Sequence, residues 1–434
     1  MKHWETPRGC IAFVSLFAAA SLFALPAAAQ STKKDLGSMS IEELLNLEVT
    51  SAAKKPEPLA KTAAAIYVIN SDDIRRSGAR NVPDLLRMVP GINVQQIDAS
   101  NWAISARGLN GEYSNKLLVL VDGRSVYSAE FSGVFWDAQD VLLEDIDRIE
   151  VIRGPGAALW GTNAVNGVIN ILTKNAADTQ GGLLVTEGGS FGGEVAARYG
   201  GKMGSRGFYS IYAKELGENP NQNGPGIDAH DRHDLAHLGF RMDWKKSSRN
   251  VFTLHGDVLG GRADETFGYF ASLSNPAQTS VPAARGSLAG NLTGSWDHTS
   301  ASGSSFNLQG YFDRQGHDSI LLREHVNTGD FEAQYRFHLR KRQEITAGLD
   351  YRLIDIHTQG GFALSFAPPS ALDSLWSGFV EDEISVVPDR LRVTLGARLE
   401  QNPYDGLEFQ PDIRLLWSPR AGHTIWLAST RALR

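Results

Sequence analysis

The chain has 434 residues, with 42 basic and 49 acidic side chains, a formal charge of −7 and 44 glycines. The mild acidity argues against a nucleic-acid partner. The single cysteine, Cys10, leaves no disulfide or cysteine-ligated metal site downstream, and no later apolar run approaches the about eighteen residues of a spanning helix.

In chain order, Lys2 and Arg8 precede an apolar run over residues 11–25, and Pro26-Ala27-Ala28-Ala29 offers a small-residue cleavage site. This predicts a secretory signal peptide over residues 1–29, cut after Ala29. A run of about fifteen residues is short for a membrane anchor of about twenty. Cys10 lies before the run, where a lipoprotein cysteine would lie after it. The export signal and the lack of spanning helices predict a periplasmic or outer-membrane protein.

Residues 40–45 (SIEELL) fit a capping box that opens a short helix, and residues 48–52 (EVTSA) read as extended. From about residue 63 to 175 the pattern is a compact α+β unit of about 110 residues. Ile66-Tyr67-Val68-Ile69 is a strand, and Ser71 is the expected N-cap of the turn that follows. Residues 82–88 (VPDLLRM) form a short helix stopped by Pro90-Gly91. Residues 117–127 (LLVLVDGRSVY) form a hairpin around an Asp-Gly turn, and residues 146–152 form another strand.

Residues 149–174 (IEVIRGPGAALWGTNAVNGVINILTK) crowd glycines around a Pro and a Trp. A dinucleotide-binding turn needs G-x-G-x-x-G before a long helix, and here the third glycine is misplaced and no such helix follows. A phosphate-binding loop needs a Lys where Thr162 stands.

After about Gly181 the chain alternates with period two. Phe331, Ala333, Tyr335, Phe337 and Leu339 alternate with Glu332, Gln334, Arg336, His338 and Arg340. Leu391, Val393, Leu395, Ala397 and Leu399 alternate with Arg392, Thr394, Gly396, Arg398 and Glu400. Each such segment has one oily and one wet face. The segments run about ten residues or more, their polar faces carry full charges, and Trp244, Trp296, Phe337, Trp376 and Trp417 sit near their ends. Connections near 245–249, 299–304, 340–342, 388–389 and 419–422 are short. Those near 217–233, 260–284, 315–325 and 357–373 are long. About thirteen strands are expected between Gly182 and Thr430. The pattern predicts an antiparallel transmembrane β-barrel with short periplasmic turns and longer extracellular loops, closed because backbone groups in lipid must be paired.

The motifs SDDIRRSG, VPDLLRMVPGINV, ISARGLNG, LLVLVDGRSVY and IEVIRGPGAALWGTNAVNGVINILTK, in this order, resemble the plug domain of TonB-dependent outer-membrane receptors of the siderophore or vitamin B12 type. The resemblance rests on motifs over about residues 49–174 and on pattern alone in the barrel. It implies an α+β plug domain (63–175) inside the barrel (181–434), with residues 30–62 as a periplasmic segment. It also implies that the glycine-rich stretch is the last plug segment before the barrel. Plugged barrels of this class use about 22 strands, so the expectation is a partial, truncated barrel. The short span before the plug leaves no room for an extra periplasmic signalling domain.

The resemblance further implies that Glu48, Val49, Thr50, Ser51 and Ala52 form the TonB box, which adds as a strand to TonB of the inner-membrane energy-transducing complex. Arg107 and Arg153 carry over as plug arginines that pair with carboxylates on the barrel wall. Plug loops near residues 98–102 and 128–136 are expected to face outward. They offer Asn101, Trp102, Tyr113, Phe131, Phe135 and Trp136 to a bulky organic ligand such as a metal chelate, with internal packing as the alternative. His230, His233 and His237 are too loosely spaced to predict a resident metal, and no cofactor is expected.

The function expected is TonB-dependent import of a scarce bulky ligand, a ferric siderophore first, by a monomer in the outer membrane of a Gram-negative bacterium. A corrinoid or a glycan is the alternative cargo; a passive plugged porin or a non-functional fragment are the other readings. No H-E-x-x-H and no carboxylate pair in a cleft context is present, so no enzyme is expected.

Overall fold

The computed structural model describes residues 47–433, except 109, 225, 273–274, 362–363 and 421. The predicted signal peptide and the helix over residues 40–45 lie outside the described residues. Among the described residues no helix is long and apolar enough to cross a membrane.

The first unit opens with β1 (Glu48–Val49) paired to β2 (Glu57–Pro58). Strand β3 (Ile66–Asn70) leads into α1 (Ser71–Ser77). Asn70, one residue before the predicted cap, is the N-cap. Its side chain accepts from Asp72 N and Asp73 N, and Asp73 accepts from Asn70 N at 3.1 Å. Gly78, in the left-handed region at φ 68°, ends the helix. Helix α2 (Val82–Leu86) is capped by Asn81, which accepts from Asp84 N at 2.9 Å. Then follow β4 (Ile92–Gln96), β5 (Trp102–Ala106), β6 (Leu117–Val121), β7 (Arg124–Ser125), β8 (Ile146–Arg153), α3 (Ala157–Trp160) and β9 (Gly167–Thr173).

Five of these strands form one sheet in the order β3-β8-β9-β6-β7, with β6 and β9 parallel. One face carries Val119, Ile149, Val151, Ile169 and Ile171 and buries Leu85 and Leu86 of α2. The other carries Leu118, Leu120, Ile152 and Val168 beside Ala164 and Trp160. A sheet covered on both faces explains why β6 reads LLVLV without alternation. The Asp122-Gly123 turn between β6 and β7 has both residues at positive φ, 48° and 85°, the geometry Asp-Gly favours in a tight hairpin.

The second unit is a sheet of thirteen strands, each antiparallel to its sequence neighbour. They are β10 (Gly181–Gly189), β11 (Gly192–Met203), β12 (Gly207–Glu218), β13 (His233–Ser247), β14 (Asn250–Ser272), β15 (Asn275–Thr299), β16 (Ser305–Asp318), β17 (Leu322–Arg340), β18 (Gln343–Gly360), β19 (Ser370–Val387), β20 (Leu391–Asn402), β21 (Gly406–Arg420) and β22 (His423–Thr430). The strand count agrees with the alternation read from the sequence. The expected closure is not reached among the described residues, where β10 pairs only with β11 and β22 only with β21.

Two connections read as long differ. Strands β14 and β15 continue in register from Asn250↔His298 to Phe270↔Gln278, so the expected loop over 260–284 is a protruding two-stranded ribbon. The 315–325 connection shrinks to residues 319–321 because β16 and β17 extend into it. Backbone pairing continues there beyond the alternating stretch. The loops over 219–232 and 361–369 remain long, and both lie on one edge of the sheet.

The sheet is inside-out relative to a soluble protein. On β18, Leu349, Tyr351 and Leu353 are exposed outward, while Asp350 and Arg352 face the plug side. Along the tight-turn edge, Phe252 stacks on Trp296 at 6.1 Å between ring centroids, with Trp244 and Phe306 continuing the row. This is the aromatic band expected where lipid meets water. Leu349, 69% exposed, supplies a test. Leu349→Arg should lower stability in lipid vesicles by about 2–4 kcal/mol in denaturant titration if it lies near the midplane. Leu349→Phe should change it by less than about 1 kcal/mol.

Candidate functional site

The plug meets the wall through charges. Between β7 and β8, Asp137, Asp140 and Asp145 each face a wall cation. Asp137 pairs with Arg285 of β15 at 3.2 Å, Asp140 with Lys214 of β12 at 2.9 Å, and Asp145 with Arg198 of β11. Burial alone would raise the Asp140 carboxyl, but Lys214 and His237 hold it well below the usual carboxylate range. His237 also lies 3.5 Å from Asp257, and its ring contacts the Tyr212 hydroxyl at 3.1 Å. In the reverse sense, Arg124 of β7 pairs with Asp313 of β16 at 2.6 Å, both buried. Asp122 of the hairpin turn meets Arg241 of β13 at 3.3 Å. A cavity of about 60 Å³ with a mixed lining lies here, bordered by Asp122, Arg124, Asp140, Arg241 and Asp257 and by Val121, Leu142 and Leu259, room for a few waters.

The glycine-rich stretch packs into this interface. A Cβ at Gly167 would stand 2.3 Å from the Ile152 carbonyl, and one at Gly161 would stand 2.9 Å from the Arg398 guanidinium on β20. At Gly167 the obstacle is backbone, and at Gly161 the guanidinium could shift but a φ of 78° disfavours any side chain.

The segment with Glu48, Val49, Thr50, Ser51 and Ala52 is tucked between plug and wall. Only Glu48 and Val49 are strand. Residues 51–54 turn, and Lys54 has a φ of 48°, so the expected extended run ends early. Val49, Ser51 and Ala52 are buried. Lys54 then pairs with Glu332 of β17 at 2.6 Å, and Lys55 with Glu344 of β18 and with Glu383 of β19 at 3.1 Å.

On the edge that carries the long loops, Tyr113, Phe131 and Phe135 form a row of edge-to-face rings at 5.1 and 4.9 Å. His317 of β16 lies 3.9 Å beyond Phe135. Glu130 stands beside this row, and burial together with Glu324 pushes its carboxyl up to about 8. Asn101 is drawn into the wall, accepting from Arg285 at 2.8 Å and donating to Asp98 at 2.7 Å. Asp231, in the 219–232 loop, accepts from Ala99 N at 2.9 Å. The plug apex is thus held by the wall and by a loop together.

Two other expected contacts sit elsewhere. Trp102 is packed in the plug core with the Arg87 guanidinium 5.4 Å from its ring, because β5 is buried along its whole length. Trp136 is half-buried against the same core.

Among the described residues neither Arg107 nor Arg153 makes an ion pair with the wall. Arg153 donates to the Pro90 carbonyl at 3.1 Å, and Arg107 is exposed, its guanidinium beside Gly154. Plug-side charges that do meet the wall include Asp122, Arg124, Asp137, Asp140, Asp145, Lys54 and Lys55. Each is a charge within or beside an apolar run, a signal that could have marked it.

Residues 58–168 match the family model described as TonB-dependent Receptor Plug Domain. The vitamin B12 transporter BtuB of Vibrio vulnificus is 37% identical over 144 residues, 33% of this chain and 23% of that protein. The ferric enterobactin receptor PirA of Pseudomonas aeruginosa is 32% identical over 191 residues, 41% of this chain and 25% of that protein. The structure of P. aeruginosa FpvA bound to heterologous pyoverdines superposes with a TM-score of 0.71 at 13% identity, covering 88% of this chain and 58% of that one. The chain spans less than two thirds of each of these relatives.

The Arg124–Asp313 pair supplies a prediction. Arg124→Met should destabilise the plug–barrel unit by about 3–5 kcal/mol in chemical denaturation, because it leaves Asp313 buried and unpaired. Adding Asp313→Leu should recover most of that loss in a double-mutant cycle.

Proposed function

The chain belongs to the TonB-dependent outer-membrane receptors, and on that premise we propose that it imports a scarce, bulky ligand by energised transport, a ferric siderophore first. The carrying observation is that a folded domain stands against the inner wall while its N-terminal segment, Glu48 to Ala52, is held between plug and barrel. A passive pore has no use for a lumen-filling domain of this size. An importer needs one that blocks diffusion and can be pulled through a segment that adds to a partner strand. The Tyr113, Phe131 and Phe135 row, with Asn101 and the polar groups around Arg285, suits a ligand with flat apolar surface and a few hydrogen-bonding groups. A corrinoid is the second reading, because the relative with 37% identity is named as a vitamin B12 transporter.

The test uses a Gram-negative host lacking its own siderophore and corrinoid receptors. Growth restored under iron limitation by a supplied ferric siderophore, and abolished on deletion of residues 48–52, is the expected result. Growth restored only under corrinoid limitation would move the assignment to the corrinoid. Uptake that survives the deletion undiminished would contradict energised import and favour a passive pore.

A further inference from the structure

Glu150 is a charge between Ile149 and Val151 of β8, whose sequence is IDRIEVIR. It is fully buried, on the sheet face that carries Ile152, and its register partner on β9 is Asn170. Such a carboxylate is tolerated only when several donors satisfy it. One donor is Arg148, whose Nε donates at 2.7 Å. The others come from the N-terminal segment. Thr50 N donates at 2.9 Å, Ser51 N at 2.7 Å and the Thr50 hydroxyl at 3.2 Å. Two successive amides on one carboxylate are incompatible with an extended strand, whose successive N–H groups point to opposite sides.

The carbonyls of the segment are also held by side chains. Trp160 Nε1 donates to Ser51 O at 2.7 Å, and Arg414 of β21 donates to Ala52 O at 2.8 Å. Asn170 Nδ2 donates to the Ser51 hydroxyl at 3.0 Å. The backbone groups that strand addition would use are therefore occupied, and the carboxylate takes the two donors.

We propose that Glu150 is the latch that keeps residues 50–52 out of the extended conformation to which a partner strand could add. It is a positioning residue, acting through the backbone of the segment. The proposal rests on reading that segment as the TonB-contacting one. Glu150→Gln keeps the shape but replaces one acceptor oxygen with a donor that faces Arg148 and the amides.

The test reads thiol reactivity in a Cys10→Ser background, where an introduced cysteine is the sole thiol. Ala52→Cys and, separately, Ala164→Cys are treated with N-ethylmaleimide in the full chain, with and without Glu150→Gln. Both alanines are buried, the second in the plug core. The expected result is a rise of at least about tenfold in the modification rate at position 52, the loss of charge-assisted hydrogen bonds being enough for that. The rate at position 164 stays unchanged. An unchanged rate at 52 would overturn the proposal. An equal rise at both positions would also overturn it, since Glu150 would then merely support the plug core. Neither readout requires a partner protein, so the latch can fail while the segment's role in uptake, tested by its deletion, stands.

Discussion

A strand that turns Leu, Val and aromatic side chains outward leaves its charged side chains nowhere to go but inward, and inside they need partners. That constraint organises the molecule. The thirteen strands carry Arg198, Lys214, Arg241, Arg285 and Asp313 on their inner face, groups too costly to bury alone. The plug supplies the complement: Asp145, Asp140, Asp122, Asp137 and Arg124. The plug is thus the inner solvent of the barrel, and its surface is written in the opposite charge.

Such an interface suits the proposed import, which requires a domain that stays in place and can yet be displaced. Apolar packing between plug and wall is confined to small patches such as Ala138 with Leu235, Leu259 and Ala289, while the ion pairs surround a cavity of mixed lining. Ion pairs can exchange partners with water in steps, whereas a dry core must be broken at once. The N-terminal segment follows the same design, held through backbone groups to Glu150, Trp160 and Arg414 and through Lys54 and Lys55 to the wall.

Legibility in the sequence followed the strength of the local signal. Alternation is enforced when one face meets lipid and the other a charged lumen, so the barrel strands were readable one by one. The plug strands, buried on both faces, were readable by their Val, Ile and Leu runs and by Asp122-Gly123. Trp102 follows Asp98-Ala99-Ser100-Asn101 and so reads equally as a ligand contact or as internal packing; in the structure β5 is buried along its length. The outer part of the β14–β15 ribbon lacks strict alternation, so the sequence reads there as a loop. The pairing of plug charges such as Arg124 and Asp140 is not legible, because which wall charge faces which plug residue is set by three-dimensional register. Glu150 offers a local sign, a carboxylate between Ile149 and Val151, though the amides it holds lie about a hundred residues away in the chain.

The central claim is that the apolar face looks into lipid and the polar face looks onto the plug. Single-tryptophan variants in vesicles of bromine-labelled lipid test it directly. Fluorescence from Trp376, outward on β19 and half exposed, should be strongly quenched, and fluorescence from Trp160, which donates to the Ser51 carbonyl inside, should not. Equal quenching of both, or quenching of Trp160 alone, would contradict the account.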